Sequence, residues 1–327
     1  MRSVLHGILC TYLPVMIGLL AAERAVASVI HVPSEYSTIQ SGIDAALAGD
    51  TVLVSQGTYS GSGNTDLDYH GKSIHVVSES GPEMCVIDCE GMSRGIAFRS
   101  GEGNDAYFAG FTIYHGEAQG IPPEDSGGGI LCRSASPVID NCRIVLCSAQ
   151  GYGGGICVDM GSPVVLHTVV LLNSALTAGG GCYFTQGSPQ MAYCRISNNI
   201  CDAAGGGIAG GNSTWLTMSV CQVSYNAAEL NGAGLYFFRS FAAISGSEVT
   251  ENVSLMSGGG VYLEDSDVTL SNCRIGWNIS NNSGGGIFAA GDSGLTVDTT
   301  WVFNNESSYA GAGICLDHCQ SAKFETC

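Results

Sequence analysis

A cluster of three small residues, mostly glycine, recurs through most of this chain at a nearly constant spacing. The last glycines of the clusters follow one another every 26 or 27 residues and are Gly129, Gly155, Gly181, Gly207, Gly234, Gly260, Gly286 and Gly313. A spacing this regular indicates a repeat protein in which each repeat contacts only its neighbours. The sequence therefore predicts one elongated solenoid instead of two globular domains.

Each repeat also carries the alternation that is typical of strands. An apolar residue follows each glycine cluster and a second one comes two residues later, as in Leu235 and Phe237. Such alternation indicates a strand with one buried face. Further along the repeat, a small residue is followed two positions later by a β-branched one, as in Cys273 and Ile275. We expect three short strands and three bends per repeat, with both kinds of residue pointing inward.

Three residues beyond the β-branched position, an asparagine recurs in six consecutive repeats. These asparagines are Asn173, Asn199, Asn226, Asn252, Asn278 and Asn305. Asparagine tolerates left-handed backbone, and stacked copies can hydrogen-bond from one coil to the next. The pattern predicts an asparagine ladder inside a parallel β-helix, an all-β solenoid of about ten coils of 26–27 residues stacked about 4.8 Å apart.

The N-terminal part of the chain differs from the repeats. Residues 1–27 combine Arg2, an apolar run over residues 4–22 and a small-residue cleavage site, which predicts a secretory signal peptide and therefore export. Residues 28–50 are predicted to form a strand and a short capping helix, because Ser37 and Gln40 fit a capping box. The helix would run to Leu47 and cover the open edge of the first coil.

The remaining chain divides into two further segments. Residues 51–126 read as strands without the glycine spacing and are predicted to form irregular coils, and residues 127–327 carry the regular repeats. The sequence ends at Cys327 in the middle of a repeat, where the small residue falls. We therefore expect a longer protein, or a cap supplied from elsewhere, beyond this point.

Charge and cysteine content restrict the possible partners and cross-links. A formal net charge of −18 argues against a nucleic-acid partner, and no transmembrane segment is predicted after the signal peptide. Most of the fifteen cysteines occupy repeat positions that elsewhere hold threonine, serine or isoleucine, so we expect them to fill the core as small residues. Cys194 and Cys221, which share one position in adjacent repeats, are the best disulfide candidates.

Two surface features are candidate binding sites. Tyr183, Tyr236, Tyr262 and Phe288 should point outward from the strands after the glycine clusters, the last three on consecutive coils. Their rings could take up sugar rings, or they could pack on one another and shield the sheet. A second group of carboxylates could bind calcium, or could be a solvated acidic turn. This group comprises Glu264, Asp265 and Asp267 in one turn and Asp292 in the next coil.

The chain resembles the right-handed parallel β-helix, pectin-lyase-like superfamily. The resemblance lies in residues 30–33, 36–40, 49–54 and 110–113, which are similar to recurrent elements of exported members. The repeats are also similar to those of chlamydial polymorphic outer membrane proteins, with Gly-Gly-Gly-Ile and the form seen at residues 249–252. Because the superfamily includes lyases, hydrolases, esterases, epimerases and non-catalytic proteins, the resemblance implies a fold and no single activity.

The sequence contains no complete catalytic constellation, and no catalytic residue is predicted. Asn64, Thr65 and Asp66 match one polygalacturonase motif without its companion motifs, and residues 91–95 match Gly-x-Ser-x-Gly without the helix that a nucleophile elbow requires. We therefore expect an exported, non-catalytic surface or extracellular protein that binds polysaccharide or another macromolecule. The alternative is a pectate-lyase-like polysaccharide lyase or hydrolase whose active-site residues are unrecognised or lie outside this sequence.

Overall fold

The structure, a computed structural model, describes residues 27–325 and shows a right-handed parallel β-helix of about 11 turns with one short helix. All strand pairs within these residues are parallel, and the predicted count of about ten coils is close to the observed one. The predicted signal peptide, apart from its last residue, and the chain end at Cys327 lie outside the described residues.

Within the described residues, the strands form four parallel sheets, and a complete coil adds one strand to each. We name them sheets I to IV in the order in which the chain visits them after a glycine cluster. The expectation of three strands per coil was wrong, because sheet IV consists of two-residue strands that are too short to show an alternating pattern.

Sheet I contains the strands that follow the glycine clusters, together with two earlier strands. Its ten strands are Leu67–Asp68, Ile96–Phe98, Ile130–Arg133, Ile156–Asp159, Cys182–Thr185, Ile208–Gly211, Leu235–Phe238, Val261–Glu264, Ile287–Ala290 and Ile314–Asp317. Sheet II is the longest of the four. Its twelve strands are Val29–Val32, Thr51–Val54, His75–Ser78, Tyr107–Ala109, Val138–Asp140, Val164–Leu166, Gln190–Ala192, Trp215–Ser219, Phe241–Ser245, Asp267–Ser271, Gly294–Asp298 and Ser321–Glu325.

Sheets III and IV complete each coil before the next glycine cluster. The ten strands of sheet III are Gly57–Ser60, Cys85–Asp88, Thr112–Tyr114, Arg143–Val145, Val169–Leu171, Arg195–Ser197, Gln222–Ser224, Glu248–Thr250, Arg274–Gly276 and Trp301–Phe303. The eight strands of sheet IV are Glu117–Ala118, Ser148–Ala149, Ser174–Ala175, Ile200–Cys201, Ala227–Ala228, Val253–Ser254, Ile279–Ser280 and Glu306–Ser307.

The core is built from rows of like residues that run along the helix axis. Leu235 pairs in register with Val261, which pairs with Ile287, and all three side chains are fully buried. Val249 and Ile275 form the equivalent buried pair on sheet III. The predicted inward rows are therefore confirmed, and burial of these apolar side chains is the main stabilising contribution.

The small residue between sheets II and III does more than fill space. The Oγ–H of Ser247 donates to the carbonyl oxygen of Ser245 at 2.9 Å, and the thiol of Cys273 makes the equivalent bond to Ser271 at 3.3 Å. The side chain also accepts from the previous coil, since the N–H of Cys221 donates to Ser247 Oγ at 3.0 Å. Cysteine, serine and threonine can all fill this position because each carries a γ atom that can donate and accept.

Most cysteines in the described part of the chain are buried, as the sequence predicted. Eleven of those in the described part of the chain are buried, and none of the described cysteines is in a disulfide. Cys194 and Cys221 do occupy adjacent coils, but the N–H of Cys194 donates to Cys221 Sγ at 3.4 Å and both thiols are free. The predicted disulfide is therefore absent.

The asparagine ladder is confirmed. Asn226 illustrates the pattern, since both its N–H and its Nδ2 donate to Asn252 Oδ1, at 3.0 and 2.9 Å. Its second Nδ2 hydrogen bond goes to the carbonyl oxygen of Ile196 at 3.1 Å. The same bonds link Asn173 to Asn305 through every intermediate coil. Each side chain thus fixes the backbone of the corner after sheet III.

The recurring glycines are explained by the close stacking of the coils. The first glycine of a cluster, such as Gly205, has left-handed backbone with a φ of +70°. A Cβ at Gly206 would lie 2.2 Å from the carbonyl oxygen of Ala227. A Cβ at Gly207 would lie 2.6 Å from the carbonyl oxygen of Gly234 and 3.0 Å from Asn226 Nδ2. Glycine is therefore required at the first position by backbone conformation and at the third by close approach of the next coil. The middle position also accepts alanine, at Ala233 and Ala312.

A helix over Ile39–Ala45 packs at the start of sheet II, where Ile39 and Ile43 are fully buried. Its N-cap is Thr38, whose capping-box partner is Ser41, so the predicted cap at Ser37 with Gln40 was wrong by one residue. Leu47 lies beyond the end of the helix and is exposed. None of the helices in residues 27–325 has the length and hydrophobicity needed to cross a membrane.

Candidate functional site

An aromatic row, defined by Tyr183, Tyr236, Tyr262 and Phe288, lies on the outer face of sheet I. Three of its members occupy the same position on consecutive strands. The ring centroids of Tyr236 and Tyr262 are 5.4 Å apart with planes at 13°, and those of Tyr262 and Phe288 are 5.3 Å apart at 11°. The rings therefore stack along the helix axis at roughly the coil spacing.

The fourth member is separated from the other three. Ala209 lies between Tyr183 and Tyr236 in the register of sheet I. Tyr183 pairs instead with Tyr152, with ring centroids 4.4 Å apart. Sequence reasoning missed Tyr152 because it precedes its glycine cluster, a position that is serine, alanine or asparagine in the other repeats.

Stacking determines which parts of the aromatic row meet solvent. Within the stack the rings cover each other's faces, and Tyr262 is only 8% exposed. The neighbours at the two ends of the stack are Ala209, beside Tyr236, and Cys315, beside Phe288, so no further ring of the row stacks on either end. The three stacked rings therefore pack on one another, which is one of the two alternatives that the sequence left open.

The tyrosine hydroxyls of this row are hydrogen-bond donors. Burial, together with the charge of Glu264, raises the pKa of Tyr236 to about 12. Burial also raises the pKa of Tyr183 to about 12, with a smaller contribution from Tyr152. The hydroxyl of Tyr262 lies 3.5 Å from Glu264 Oε2, to which it donates. All three phenols therefore remain protonated at neutral pH. Because the Tyr262 proton is donated to Glu264, the hydroxyls of Tyr183 and Tyr236 are the ones that can donate to a ligand oxygen.

The predicted calcium ligands are not assembled into a cation site. Asp265 accepts from the N–H of Asp292 at 3.2 Å and pairs with Arg239 at 3.6 Å. Glu264 belongs to sheet I and Asp267 begins a strand of sheet II, so the bend at Asp265 separates them. Across residues 27–325, no group of three or more His, Cys, Asp or Glu side chains is placed to hold a metal ion.

A cavity of about 480 Å³ lies beside the N-terminal part of sheet I, and sequence reasoning did not identify it. Asp66, Arg94, Glu117 and Glu124 contribute its charged lining. The two incomplete motifs found in the sequence both contribute to this cavity. Asp66 belongs to the polygalacturonase-like motif, and residues 91–94 belong to the Gly-x-Ser-x-Gly match. The polar residues of this cavity are visible in the sequence, but they lie outside the regular repeats. They have no recurrent spacing that would predict a common site.

Arg94 organises this cavity. Its guanidinium donates to the carbonyl oxygens of Gly127, Glu124 and Ser126 at 3.0–3.1 Å and is 6% exposed. Nη1 also lies 3.2 Å from Glu124 Oε2 and 3.7 Å from Asp66 Oδ1. A buried cation therefore holds two partly exposed carboxylates at the cavity wall.

Arg99 extends the charged cluster along sheet I. Its Nε donates to Asp68 Oδ2 at 2.9 Å, and this hydrogen bond raises the pKa of the guanidinium. Weaker contacts of 4.0 and 3.9 Å reach Asp66 and Glu124. Carboxylates bridged by arginine can bind hydroxyl groups or carry out acid–base chemistry, so the cavity is a second candidate site.

Comparison with known proteins places this architecture in a family. The family described as right handed beta helix region matches residues 52–246 and 206–327. No curated protein matches the chain significantly in sequence. Among solved structures, pectate lyase Pel9A aligns at 11% identity and a TM-score of 0.47 over 90% of this chain and 78% of its own.

Two further solved structures share the fold at similar distance. The A-module of mannuronan C-5 epimerase AlgE4 from Azotobacter vinelandii aligns at 12% identity and a TM-score of 0.47, over 88% of this chain and 92% of its own. A polygalacturonase from Erwinia carotovora ssp. carotovora aligns at 12% identity and a TM-score of 0.39, over 89% and 96%. With the family match spanning most of the sequence, the chain belongs to the right-handed β-helix family.

Proposed function

We propose that this is an exported, surface or extracellular β-helix protein that binds a polysaccharide along the outer face of sheet I. The observation that carries the proposal is the aromatic row, where Tyr236, Tyr262 and Phe288 follow one another at 5.3–5.4 Å. This repeat is close to the length of one pyranose residue. A glycan lying along the helix axis would therefore meet a similar surface at each successive sugar.

The two ends of the stack are the places where a sugar ring can lie against an aromatic face. Tyr236 has the small side chain of Ala209 on one side, so its face toward Tyr183 is not covered by another ring of the row. The hydroxyls of Tyr183 and Tyr236, kept protonated by burial, would donate to sugar oxygens. Glu264, next to Tyr262, would accept from sugar hydroxyls.

The net charge of the protein favours some classes of glycan over others. The formal net charge of −18 repels polyuronates and other anionic polymers, so a neutral polysaccharide suits this surface better. The same charge argues against nucleic acid as a partner. The superfamily neighbours support a polysaccharide ligand only by analogy of fold.

The test is glycan-array binding by the chain from Ser28 onward, followed by titration of any neutral glycan that is bound. Tyr183→Ala and Tyr236→Ala should each weaken binding by about five-fold or more, as expected for an aromatic contact residue. Tyr193→Ala is the matched control, because Tyr193 is 59% exposed at the corner between sheets II and III. Binding that is unchanged in both row variants, with circular dichroism showing intact folding, would remove the proposal.

A second candidate function, a polysaccharide lyase or hydrolase, is favoured by the cavity at Arg94. Asp66 and Glu124 both lie within 4 Å of Arg94 Nη1, at 3.7 and 3.2 Å, and glycoside hydrolysis uses two carboxyl groups at the scissile bond. The assay is incubation with polygalacturonate, alginate and chondroitin in the presence of calcium, following both unsaturated products and new reducing ends. Turnover that is lost in Asp66→Asn and Glu124→Gln would favour this function over simple binding, whereas turnover retained in both variants would exclude the cavity.

Export is the third part of the proposal and rests on the sequence of residues 1–27. Fusion of these residues to a phosphatase that is active only after translocation should give an active reporter. Mass spectrometry of the exported protein should find a mature chain that begins near Ser28. An inactive reporter, or an uncleaved N-terminus in the exported protein, would contradict this assignment.

A further inference from the structure

The corner between sheets III and IV carries an acidic side chain flanked by two aromatic ones. Tyr225, Glu251 and Trp277 occupy one position on three consecutive coils, all with left-handed backbone at φ values of 58°, 58° and 60°. The N–H of Tyr225 donates to the carbonyl oxygen of Thr250 at 3.3 Å, and the N–H of Glu251 donates to that of Gly276 at 3.2 Å. These bonds fix the order of the three side chains along the axis.

These side chains line an open cavity of about 450 Å³ whose other walls are Val253 and Ile279 of sheet IV. Tyr225 is 51% exposed and Trp277 is 55% exposed, so both rings are accessible. The other left-handed residues in this row do not repeat the arrangement; they are His115, Leu146, Leu172, Asn198 and Asn304. A carboxylate between two accessible rings is thus particular to this one site in the row.

The carboxylate of Glu251 has no cationic partner among the residues that the structure describes. Its interaction with the hydroxyl of Tyr225 raises the pKa of that phenol. Arg274, on the neighbouring strand of sheet III, lies 3.5 Å from Glu248 and 5.5 Å from the ring centroid of Trp301. Arg195, one coil before Tyr225, is a cation near this tyrosine. The negative charge at the centre of the cavity is therefore available to a ligand.

We propose that the Glu251 corner binds a quaternary ammonium group. Two coil rises separate the aromatic rings by about 10 Å, so a cation centred over Glu251 would lie about 5 Å from each ring. That distance is within the range of about 6 Å over which an aromatic face attracts a cation. Val253 and Ile279 would contact the alkyl substituents, which makes an alkylated ammonium a better ligand than a bare metal ion or a neutral sugar.

The same group can reach the site as a free small molecule or as the headgroup of a choline lipid. The primary experiment uses free choline and its uncharged isostere 3,3-dimethylbutan-1-ol. Because the chain has three tryptophans, Trp215→Leu combined with Trp301→Leu leaves Trp277 as the single reporter. Choline should change the fluorescence of this double variant saturably in the millimolar range or below, and the isostere should bind about ten-fold more weakly.

Four single substitutions test whether choline binds at the Glu251 corner. Glu251→Gln should weaken choline binding about ten-fold, and Trp277→Leu in the wild-type background should do the same by calorimetry. Glu35→Gln, which removes one exposed carboxylate near the N-terminus, and Trp215→Leu, which removes a tryptophan that is also 55% exposed, should leave the affinity unchanged. No saturable choline binding, or equal binding of the isostere, would overturn the proposal.

Sedimentation with vesicles distinguishes a free ammonium ligand from a lipid headgroup. If the site takes lipid headgroups, the protein should sediment with phosphatidylcholine vesicles, and excess choline or Glu251→Gln should release it. If the ligand is a free or polymer-linked ammonium, choline binds and the vesicles do not sediment the protein. Both results support the ammonium site, whereas sedimentation that neither choline nor Glu251→Gln affects would contradict it.

Discussion

Asn252 and Asn278 are joined by two hydrogen bonds that converge on a single oxygen. The N–H and the Nδ2 of Asn252 donate to Asn278 Oδ1 at 3.0 and 2.9 Å, and the remaining Nδ2 hydrogen is donated to the carbonyl oxygen of Val223 at 3.0 Å. Both side chains are fully buried. One amide therefore connects three successive coils, Val223 in the coil before it and Asn278 in the coil after it.

Replacing Asn252 with alanine should destabilise the protein by about 2–4 kcal/mol. The substitution leaves the N–H and Nδ2 of Asn226 and the carbonyl oxygen of Val223 without their partners in a buried site. Asn281→Ala is the control, because Asn281 is exposed and should change stability by no more than about 0.5 kcal/mol. Urea unfolding followed by circular dichroism measures both. Equal midpoints for the two variants would show that the ladder does not stabilise the fold.

Gly207→Ala tests why glycine recurs. The added Cβ would lie 2.6 Å from the carbonyl oxygen of Gly234, which is backbone and cannot rotate away, so a loss of about 1–3 kcal/mol is expected. Gly103→Ala is the matched control, since a Cβ there meets no atom within 4 Å. It should be neutral or stabilise by up to about 1 kcal/mol through the unfolded chain. A Gly207→Ala protein that unfolds at the wild-type temperature would contradict the steric explanation.

The sequence predicts the repeating features of this fold because each of them recurs in many coils. The buried rows through Leu235 and Val249, and the ladder through Asn252, recur at one spacing, and parallel stacking converts equal spacing into spatial contact. Features that occur once were predicted less well. The cavity at Arg94 joins Asp66, Arg94 and Glu124, which come from different coils without the repeat, and no spacing rule connects them.

Competition between neighbouring residues explains why the observed helix cap differs by one residue from the predicted one. At the N-terminal helix, Ser37 and Thr38 each have a polar residue three positions later, and tertiary contacts decide between them. Gln40 is recruited by sheet I, where it accepts from the N–H of Asp68 and donates to its carbonyl oxygen, both at 2.9 Å. This leaves Thr38 and Ser41 to form the capping box.

For the aromatic row, the outward positions were predictable, but the degree of ring stacking depends on rotamers that sequence does not specify.

Thiol labelling should separate the core cysteines from the C-terminal ones. Burial raises the pKa of Cys142, Cys147 and Cys157 to about 12, so these thiols are both inaccessible and protonated. Cys315 and Cys319 are only partly buried. Brief alkylation of the native protein should modify Cys315 and Cys319, and the buried cysteines should react only after denaturation. Rapid native labelling of Cys142, mapped by mass spectrometry, would show that the core opens locally.

Acidic groups whose pKa is raised in the folded state predict a loss of stability at alkaline pH. In the folded state the pKa of Cys142 rises from its ordinary value of 9.0 to about 12, and that of Tyr107 from 10.0 to about 12, mainly because burial disfavours the charged form. Above pH 9 the unfolded chain therefore loses protons that the folded chain retains. The folded state then binds more protons than the unfolded one, so the free energy of unfolding falls as pH rises from about 9 to about 12.

Cys142→Ser isolates one contribution to this slope. Serine already occupies the equivalent position at Ser247, where its Oγ makes the corner hydrogen bonds, so the variant should fold normally. Because serine does not ionise in this range, thermal unfolding monitored from pH 8 upward should show a shallower decline of Tm than in the wild type. Cys315→Ser, at a partly exposed thiol, should keep nearly the wild-type slope. Identical slopes in all three proteins would mean that Cys142 is not held neutral by the fold.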